Sequence, residues 1–453
     1  EIGSGLVGSE MCIRDRCTSY STYSYKSMIQ SLINKHFFNL LLFTLTFGIL
    51  LYDAIGFDYT DEICALFLFV LFGIYLFSTS DWNFNKGFLT TIGIFLFYFC
   101  YSLYIGSNTK TAIISDMLIQ IKPYLAFFCV YSMMPRFSES QKNIMKSICL
   151  VFWFLLLLMG LGKAVEPRIL FHLMGHPAYY AAAVVCVSLC YLYCSKFTNL
   201  DKITFVALLS IGLISGRSKF YGFFALATFI TFYFSNIKQF KLDAKNITII
   251  LLTIVAVLFV AREKIYFYFY QTLTSEVDKD MIARYVLYAT APQILIDYFP
   301  FGSGFASFGT FSSGVYYSSI YSKYGIDGVW GMSKDHYNFI ADTYYPSLAQ
   351  FGIVGIILYI TFWAYILMKA IKFHKRTYNM KCLSMVLMII GFFIIEGTTD
   401  STFTTHRGFF VLMLLGLILS DLKNGVTDEV HPNAKELQDE NTSCLLYTSP
   451  SPR

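Results

Sequence analysis

The sequence predicts an all-α, polytopic integral membrane protein with about 12 transmembrane helices and one large external loop. Three observations carry that prediction. Only 14% of the 453 residues are charged, against ~25% in soluble domains. The chain is 56% hydrophobic, with a mean hydropathy of +0.56. Long apolar runs recur through most of it, with charge gathered in short clusters between them. Too few charges exist to clothe soluble domains of this total length. The runs are continuous rather than alternating, which argues against an outer-membrane barrel. A soluble enzyme, a disulfide scaffold and a disordered chain are excluded.

Taken in order, the apolar runs are 37–57, 63–79, 88–105, 113–134, 147–162, 177–195, 203–214, 220–235, 246–261, 347–368, 382–395 and 408–420. Several fall short of the ~20 residues needed to cross ~30 Å of hydrocarbon, so their ends extend into flanking polar residues. The pair at 203–235 is interrupted by Ser215, Gly216, Arg217, Ser218 and Lys219. The opening EIGSGLVGSEMCIRDR and the closing TSCLLYTSPSPR resemble translated sequencing-adapter read-through and are set aside from fold reasoning. The expected organisation is a leader at 1–16 and a membrane domain at 17–261. An external loop at 262–346, three spans within 347–421 and a cytoplasmic tail at 422–453 follow. Cys186, Cys190 and Cys194 share a helix face and read as packing residues.

Orientation follows from the positives. One set of alternate loops holds Lys35, Lys86, Arg136, Lys142, Lys146, Lys196, Lys202 and the cluster Lys369 to Lys381. The opposite set begins with Asp53, Asp58, Asp61 and Glu62. Both termini are therefore expected in the cytoplasm and 262–346 outside. No basic domain stands apart from the spans, so nucleic acid is not an expected partner.

Within the external loop, 281–299 reads as a weakly amphipathic helix with Ile282, Tyr285, Val286, Ala289 and Ile296 on one stripe. Leu287 and Leu295 fall off it. Pro300 ends the helix, and Gly302 and Gly304 follow as a turn. Arg217 sits between two spans on the expected outer side, against the positive-inside bias. It has two readings: a salt bridge or lipid-headgroup contact, or a guanidinium holding phosphate oxygens through its planar fork. Lys219 adds a second positive charge or is solvated. Arg284 is a second candidate for the same anion, or a residue of a solvated helix face.

The densest constellation is Lys334-Asp335-His336-Tyr337-Asn338, then Asp342, Tyr344 and Tyr345, then Gln350-Phe351-Gly352 leading into a span. His336, Asp335 and Asp342 are candidates for a base or for an acceptor that orients a hydroxyl. Tyr344 and Tyr345 belong to an interfacial aromatic belt or stack on sugar faces. His172 and His176 have metal-ligand spacing, but Gly175 and Pro177 break the helix that would align them. Asp278-Lys279-Asp280 is a lone Asp-x-Asp on the wrong side of the membrane for nucleotide sugars. No metal site and no cofactor is expected.

His176-Pro177, Ser215-Gly216-Arg217-Ser218, Arg284 with Pro300, Gly302, Gly304 and Phe305, and Asp335-His336 through Gln350-Phe351-Gly352 to Gly355 occur in one order around one loop. In this the chain resembles the O-antigen polymerase and O-antigen ligase superfamily, from about residue 36 to 421. The resemblance implies a bacterial plasma-membrane glycosyltransferase acting on undecaprenyl-diphosphate-linked glycans, as donor and as acceptor. A flippase and a chain-length regulator would be its partners. The run Asp342-Thr343-Tyr344-Tyr345-Pro346 is closer to repeat-unit polymerases than to ligases. On that reading Arg217 and Arg284 hold the diphosphate leaving group without a metal. The rival expectations are ligase-type transfer of a finished glycan to another acceptor, and a lipid-linked oligosaccharide transporter or flippase.

Overall fold

The computed structural model describes residues 28–56, 59–78, 85–236 and 282–430. The expected leader, the expected span 246–261, the Asp278-Lys279-Asp280 triplet and the tail beyond 430 lie outside the described residues. The described residues form helices and turns with no strand. The main helices are α1 (Met28–Leu50), α2 (Thr60–Ser78), α3 (Lys86–Ile105), α4 (Lys110–Met133), α5 (Glu139–Gly162) and α6 (Pro177–Cys194). They continue as α7 (Asn199–Ser210), α8 (Ser218–Phe232), α9 (Ala283–Asp297), α10 (Gly352–Thr377), α11 (Met380–Glu396) and α12 (His406–Val430).

Eight helices among the described residues are long and apolar enough to cross a membrane: α1 to α6, the helical stretch Tyr344–Thr377 that contains α10, and α12. The expected spans at 203–235 are shorter. α7 has 12 residues and α8 has 15, about 18 and 22 Å of helix. They meet at the Gly216 turn, whose left-handed φ of 74° suits glycine. α11, with 17 residues, is about 26 Å long. The bundle therefore has eight full-length helices and three shorter ones among the described residues, in place of a uniform set.

Local signals set the helix ends. Asn85, Thr109 and Asn379 accept backbone N–H bonds at the starts of α3, α4 and α11. Ser138 with Gln141, and Thr198 with Asp201, form capping boxes on α5 and α7. α6 and α12 are the inner helices and are buried on nearly all sides, whereas α3 and α5 turn most of their surface outward. Small residues on α6, among them Ala182, Cys186 and Cys190, are almost fully buried, which lets neighbours approach closely. α4 runs along α12, where a Cβ on Gly416 would lie 2.7 Å from the Phe127 carbonyl oxygen.

Alternate connections gather at opposite ends of the bundle. At one end Gln30 donates to the Met134 carbonyl (3.2 Å), and Asn34 Oδ1 accepts from the Arg136 amide (2.9 Å). There too Lys381 donates to the Ser195 carbonyl (2.6 Å) and Tyr193 to Asp421 (2.7 Å). At the other end Asn108 donates to the Ala306 carbonyl (2.7 Å) and Lys163 to that of Ile214 (2.8 Å). Ser401 donates to the Ala341 carbonyl there (2.6 Å).

The loop segment 282–346 has its own small core, with Phe308, Tyr321, Met332 and Ile340 beneath α9. This corrects the expected helix stripe. The buried face of α9 is Ala283, Val286, Leu287, Thr290, Ala291 and Ile294, a clean i, i+3, i+4 series. Leu287, expected off the face, is fully buried, while Ala289 faces out and Ile296 is 77% exposed. The face is set by what lies beneath the helix, so it centres one position away from the sequence stripe. The loop docks on the start of α10 through a glycine lock and on α3 and α4 through hydrogen bonds. A Cβ on Gly302 would sit 2.2 Å from the Gly352 nitrogen, and one on Gly352 would sit 2.2 Å from the Pro300 carbonyl oxygen. Both have positive φ. Gly304 N–H donates to the Gln350 carbonyl (2.8 Å), Tyr98 to that of Phe351 (2.7 Å), and Asp116 accepts from the Ala306 amide (2.8 Å).

Candidate functional site

The end of the bundle that carries the loop gathers most of the unusual charges. His176 is the N-cap of α6, and its Nδ1 accepts from the Ala178 amide at 3.2 Å. Arg217 is the N-cap of α8, and its Nη2 lies 2.8 Å from His176 Nε2. A neutral imidazole accepts at one nitrogen at a time, so these two contacts compete for the ring. Burial, then the Arg217 charge, holds the His176 imidazole down at about 4, and the ring is neutral at physiological pH. Burial and the nearby Arg284 also work against the Arg217 guanidinium, which nonetheless stays charged. Arg217 has no carboxylate within ion-pair distance among the described residues.

Lys219, the second residue of α8, has a different environment. It donates to Glu396 at 2.6 Å and to Asp400 at 3.0 Å, and its side chain is 10% exposed. Thr402 donates to the same Glu396 oxygen at 3.2 Å. Burial opposes ionisation of Asp400 most strongly, but Lys219 and Arg407 together hold its carboxyl below the ordinary value. Arg284, on α9, pairs with Asp342 and donates to the Thr399 carbonyl at 3.4 Å. Burial raises the Asp342 carboxyl, with Arg284 opposing.

Three helix N-termini meet at this place: those of α6 at His176, α8 at Arg217 and α12 at His406-Arg407. Each presents the positive end of its dipole. The His176 and Tyr179 rings lie 5.5 Å apart, and the Arg407 guanidinium sits 3.7 Å above the Tyr179 ring. Chemically, the arrangement suits an anion with several oxygens.

The structure brings Arg217, Lys219, Arg284 and Asp342 into this group of charges, whereas Asp335, His336, Tyr344 and Tyr345, at the same end of the bundle, make other contacts. Asp335 and His336 are exposed on the loop surface. The His336 ring stacks near Trp330 at 5.6 Å, its backbone amide bonds Ser333, and it touches none of the three cations. Tyr344 is 2% exposed, enclosed by Tyr359 and Phe403. Tyr345 donates to the Ile394 carbonyl at 2.9 Å and so ties the start of the Tyr344–Thr377 stretch to the end of α11. Tyr344 presents no free face as a sugar platform would, whereas Tyr345 is half-buried. His172 faces Glu166 at 3.4 Å, separated from His176 by the Gly175 turn.

Sequence reasoning missed roles for His176, Glu396, Asp400 and Arg407. The available signal was their setting, since ionisable residues beside apolar runs need partners or a function. A second ionic group, Lys122 with Asp61 and Glu62, joins α4 to the start of α2 and is fully paired. Between α3, α4 and α10 lies a cleft of about 220 Å³ lined by Phe95, Tyr98, Tyr124, Phe128, Tyr359 and Phe362. Its lining carries no charge, so it fits apolar chains rather than sugars. A comparison with protein-family models finds no match, and neither does a comparison with curated protein sequences.

Proposed function

We propose that this protein is a membrane glycosyltransferase of the polysaccharide-polymerase type. It transfers a growing glycan from its undecaprenyl diphosphate carrier to the terminal sugar of another lipid-linked repeat unit. The observation that carries this reading is Arg217: a half-buried guanidinium without a carboxylate, beside a neutral histidine, where helix N-termini converge. Such a place favours a diphosphate, whose negative charge grows as the glycosyl C–O bond to phosphate breaks. The Lys- and Arg-rich end of the bundle is read as cytoplasmic, which puts the site on the outer face of the plasma membrane. The apolar cleft between α3, α4 and α10 suits an isoprenoid chain.

In this mechanism the acceptor hydroxyl attacks the anomeric carbon and gives its proton to a carboxylate or imidazole. The undecaprenyl diphosphate leaves with the bonding electron pair. Asp342 is the candidate base in contact with the cationic group, and burial raises its proton affinity above that of an ordinary carboxylate. Asp335 and His336 serve only if the loop surface closes over the acceptor.

The test is deletion in the native host followed by analysis of lipid-linked intermediates. Accumulation of single repeat units supports the polymerase. Long unattached chains point to ligase-type transfer. Failure of the units to reach the outer face points to a transporter or flippase, the reading that the buried Lys122 group favours.

A further inference from the structure

Arg407 is the most unusual cation in the described structure. It is 4% exposed, and its Nε has no hydrogen-bond partner. Among the described residues its side chain forms no ion pair or hydrogen bond, and its guanidinium lies 3.7 Å from the centre of the Tyr179 ring. A guanidinium whose Nε donor is buried with no acceptor is costly. A cation–π contact at ~0.5–2 kcal/mol does not replace the missing hydrogen bonds. The neighbouring carboxylates are engaged: Glu396 with Lys219 and Thr402, and Asp400 with Lys219. The other cations differ in the same way from Arg407, since Lys219 and Arg284 have carboxylates within bonding distance. Of the site's arginines, Arg217 shares the lack among the described residues.

Geometry links these two guanidiniums, neither of which has a carboxylate within ion-pair distance among the described residues. Arg217 touches His176, the His176 ring lies 5.5 Å from that of Tyr179, and Tyr179 stacks on Arg407. Tyr179 fixes the plane of the Arg407 fork, as a preorganised oxyanion ligand requires. We propose that Arg407 is a diphosphate-binding residue. With Arg217, to which it is linked through Tyr179 and His176, it forms a two-arginine clamp on the phosphates of a polyprenyl diphosphate. This rests on the anion-site reading above and deepens it by naming a second phosphate ligand that the sequence did not suggest. The clamp divides the labour among the cations: Arg217 and Arg407 take the ligand, while Lys219 and Arg284 hold the carboxylates that frame it.

The experiment uses the full chain in lipid nanodiscs, with farnesyl diphosphate as the probe and farnesol as its uncharged control. Wild type is expected to bind the diphosphate in a salt-sensitive way and to ignore farnesol at the same concentration. Arg407→Gln should weaken binding by about tenfold or more, and Arg407→Lys should recover only part, because the bidentate fork is lost. If Arg407→Gln does not fold, Asp400→Asn is compared with Asp400→Asn/Arg407→Gln, which removes the carboxylate facing the arginine. Wild-type binding by Arg407→Gln, or binding by Asp400→Asn/Arg407→Gln equal to that of Asp400→Asn, would overturn the proposal. So would equal binding of farnesol and farnesyl diphosphate. Arg407-dependent binding in a protein whose deletion leaves glycan polymers intact would retain the clamp and reject the polymerase reading, so the two failures are distinguishable.

Discussion

Lys219 is expected to be a structural cation, and replacing it is the sharpest test of how the charges are sorted. Lys219→Met keeps the length of the side chain and removes the ammonium. Glu396 and Asp400, 6% and 17% exposed at their side chains, then face each other without the cation that bonds both. Breaking a buried ion pair by removing one partner costs about 3–5 kcal/mol. Arg407 still acts on Asp400 through space, which places the expected loss at the lower end, about 3 kcal/mol. That is a large share of a typical folding free energy of ~5–15 kcal/mol. At ~2 °C per kcal/mol for a long chain, the unfolding midpoint should fall by roughly 6 °C. Adding Glu396→Gln removes the surplus carboxylate and should recover at least half of the loss. The assay is thermal unfolding of purified variants in one detergent, read as a double-mutant cycle. A Lys219→Met protein as stable as wild type but unable to bind farnesyl diphosphate would refute the sorting and return Lys219 to the ligand.

Three further outcomes are expected. Arg217→Ala should lose about 2–4 kcal/mol of transition-state stabilisation, seen as polymer synthesis falling at least ~30-fold at equal expression; Arg217→Lys should also be impaired, and full synthesis by either variant would count against the site. His176 has its folded-state pKa depressed to about 4 from 6.5, so its contribution to stability is present above pH 6.5 and is lost as pH falls toward 4; His176→Gln should flatten that part of the stability profile, and an unchanged difference between pH 7 and pH 5 would contradict it. A cysteine at the exposed Lys334 should react with an impermeant thiol reagent in intact cells, and one at Lys372 should not; the reverse pattern would invert the proposed orientation.

The membrane class and most helices were legible because apolar periodicity and length are local properties. Arg217 was legible for a related reason, as a charge that violates a loop bias. The short helices α7 and α8 were harder to read, since Ser215 to Lys219 breaks the run while Ile211–Ser215 continues it as a 3-10 turn. Partnership was not legible at all. Nothing in the sequence joins Lys219 to Glu396, 177 residues away, or Arg284 to Asp342, 58 residues away. The same gap hid Arg407, whose distinction is the lack of a partner. His336 stood out in sequence because its neighbours are polar, and the structure shows that such crowding there reflects an exposed turn.

The glycines of the resembling segments are accounted for by backbone contact rather than chemistry. Gly302 and Gly352 approach so closely that neither tolerates a side chain, and Gly352 holds a φ of 63° with ψ of −168°. That conformation is essentially reserved for glycine. The lock fixes the loop to the start of α10 and, through Tyr98, Tyr101 and Ser102, to α3. α9 is carried on the same loop, so the position of Arg284 over Asp342 depends on a contact made by residues that bear no charge. A site assembled from His176, Arg217, Arg284 and Arg407 draws on four connections far apart in the chain. Each arginine has many rotamers, and the proposed diphosphate clamp needs its donors held within fractions of an ångström. The glycine lock provides that rigidity for the loop, and the helix caps provide it for His176 and Arg217.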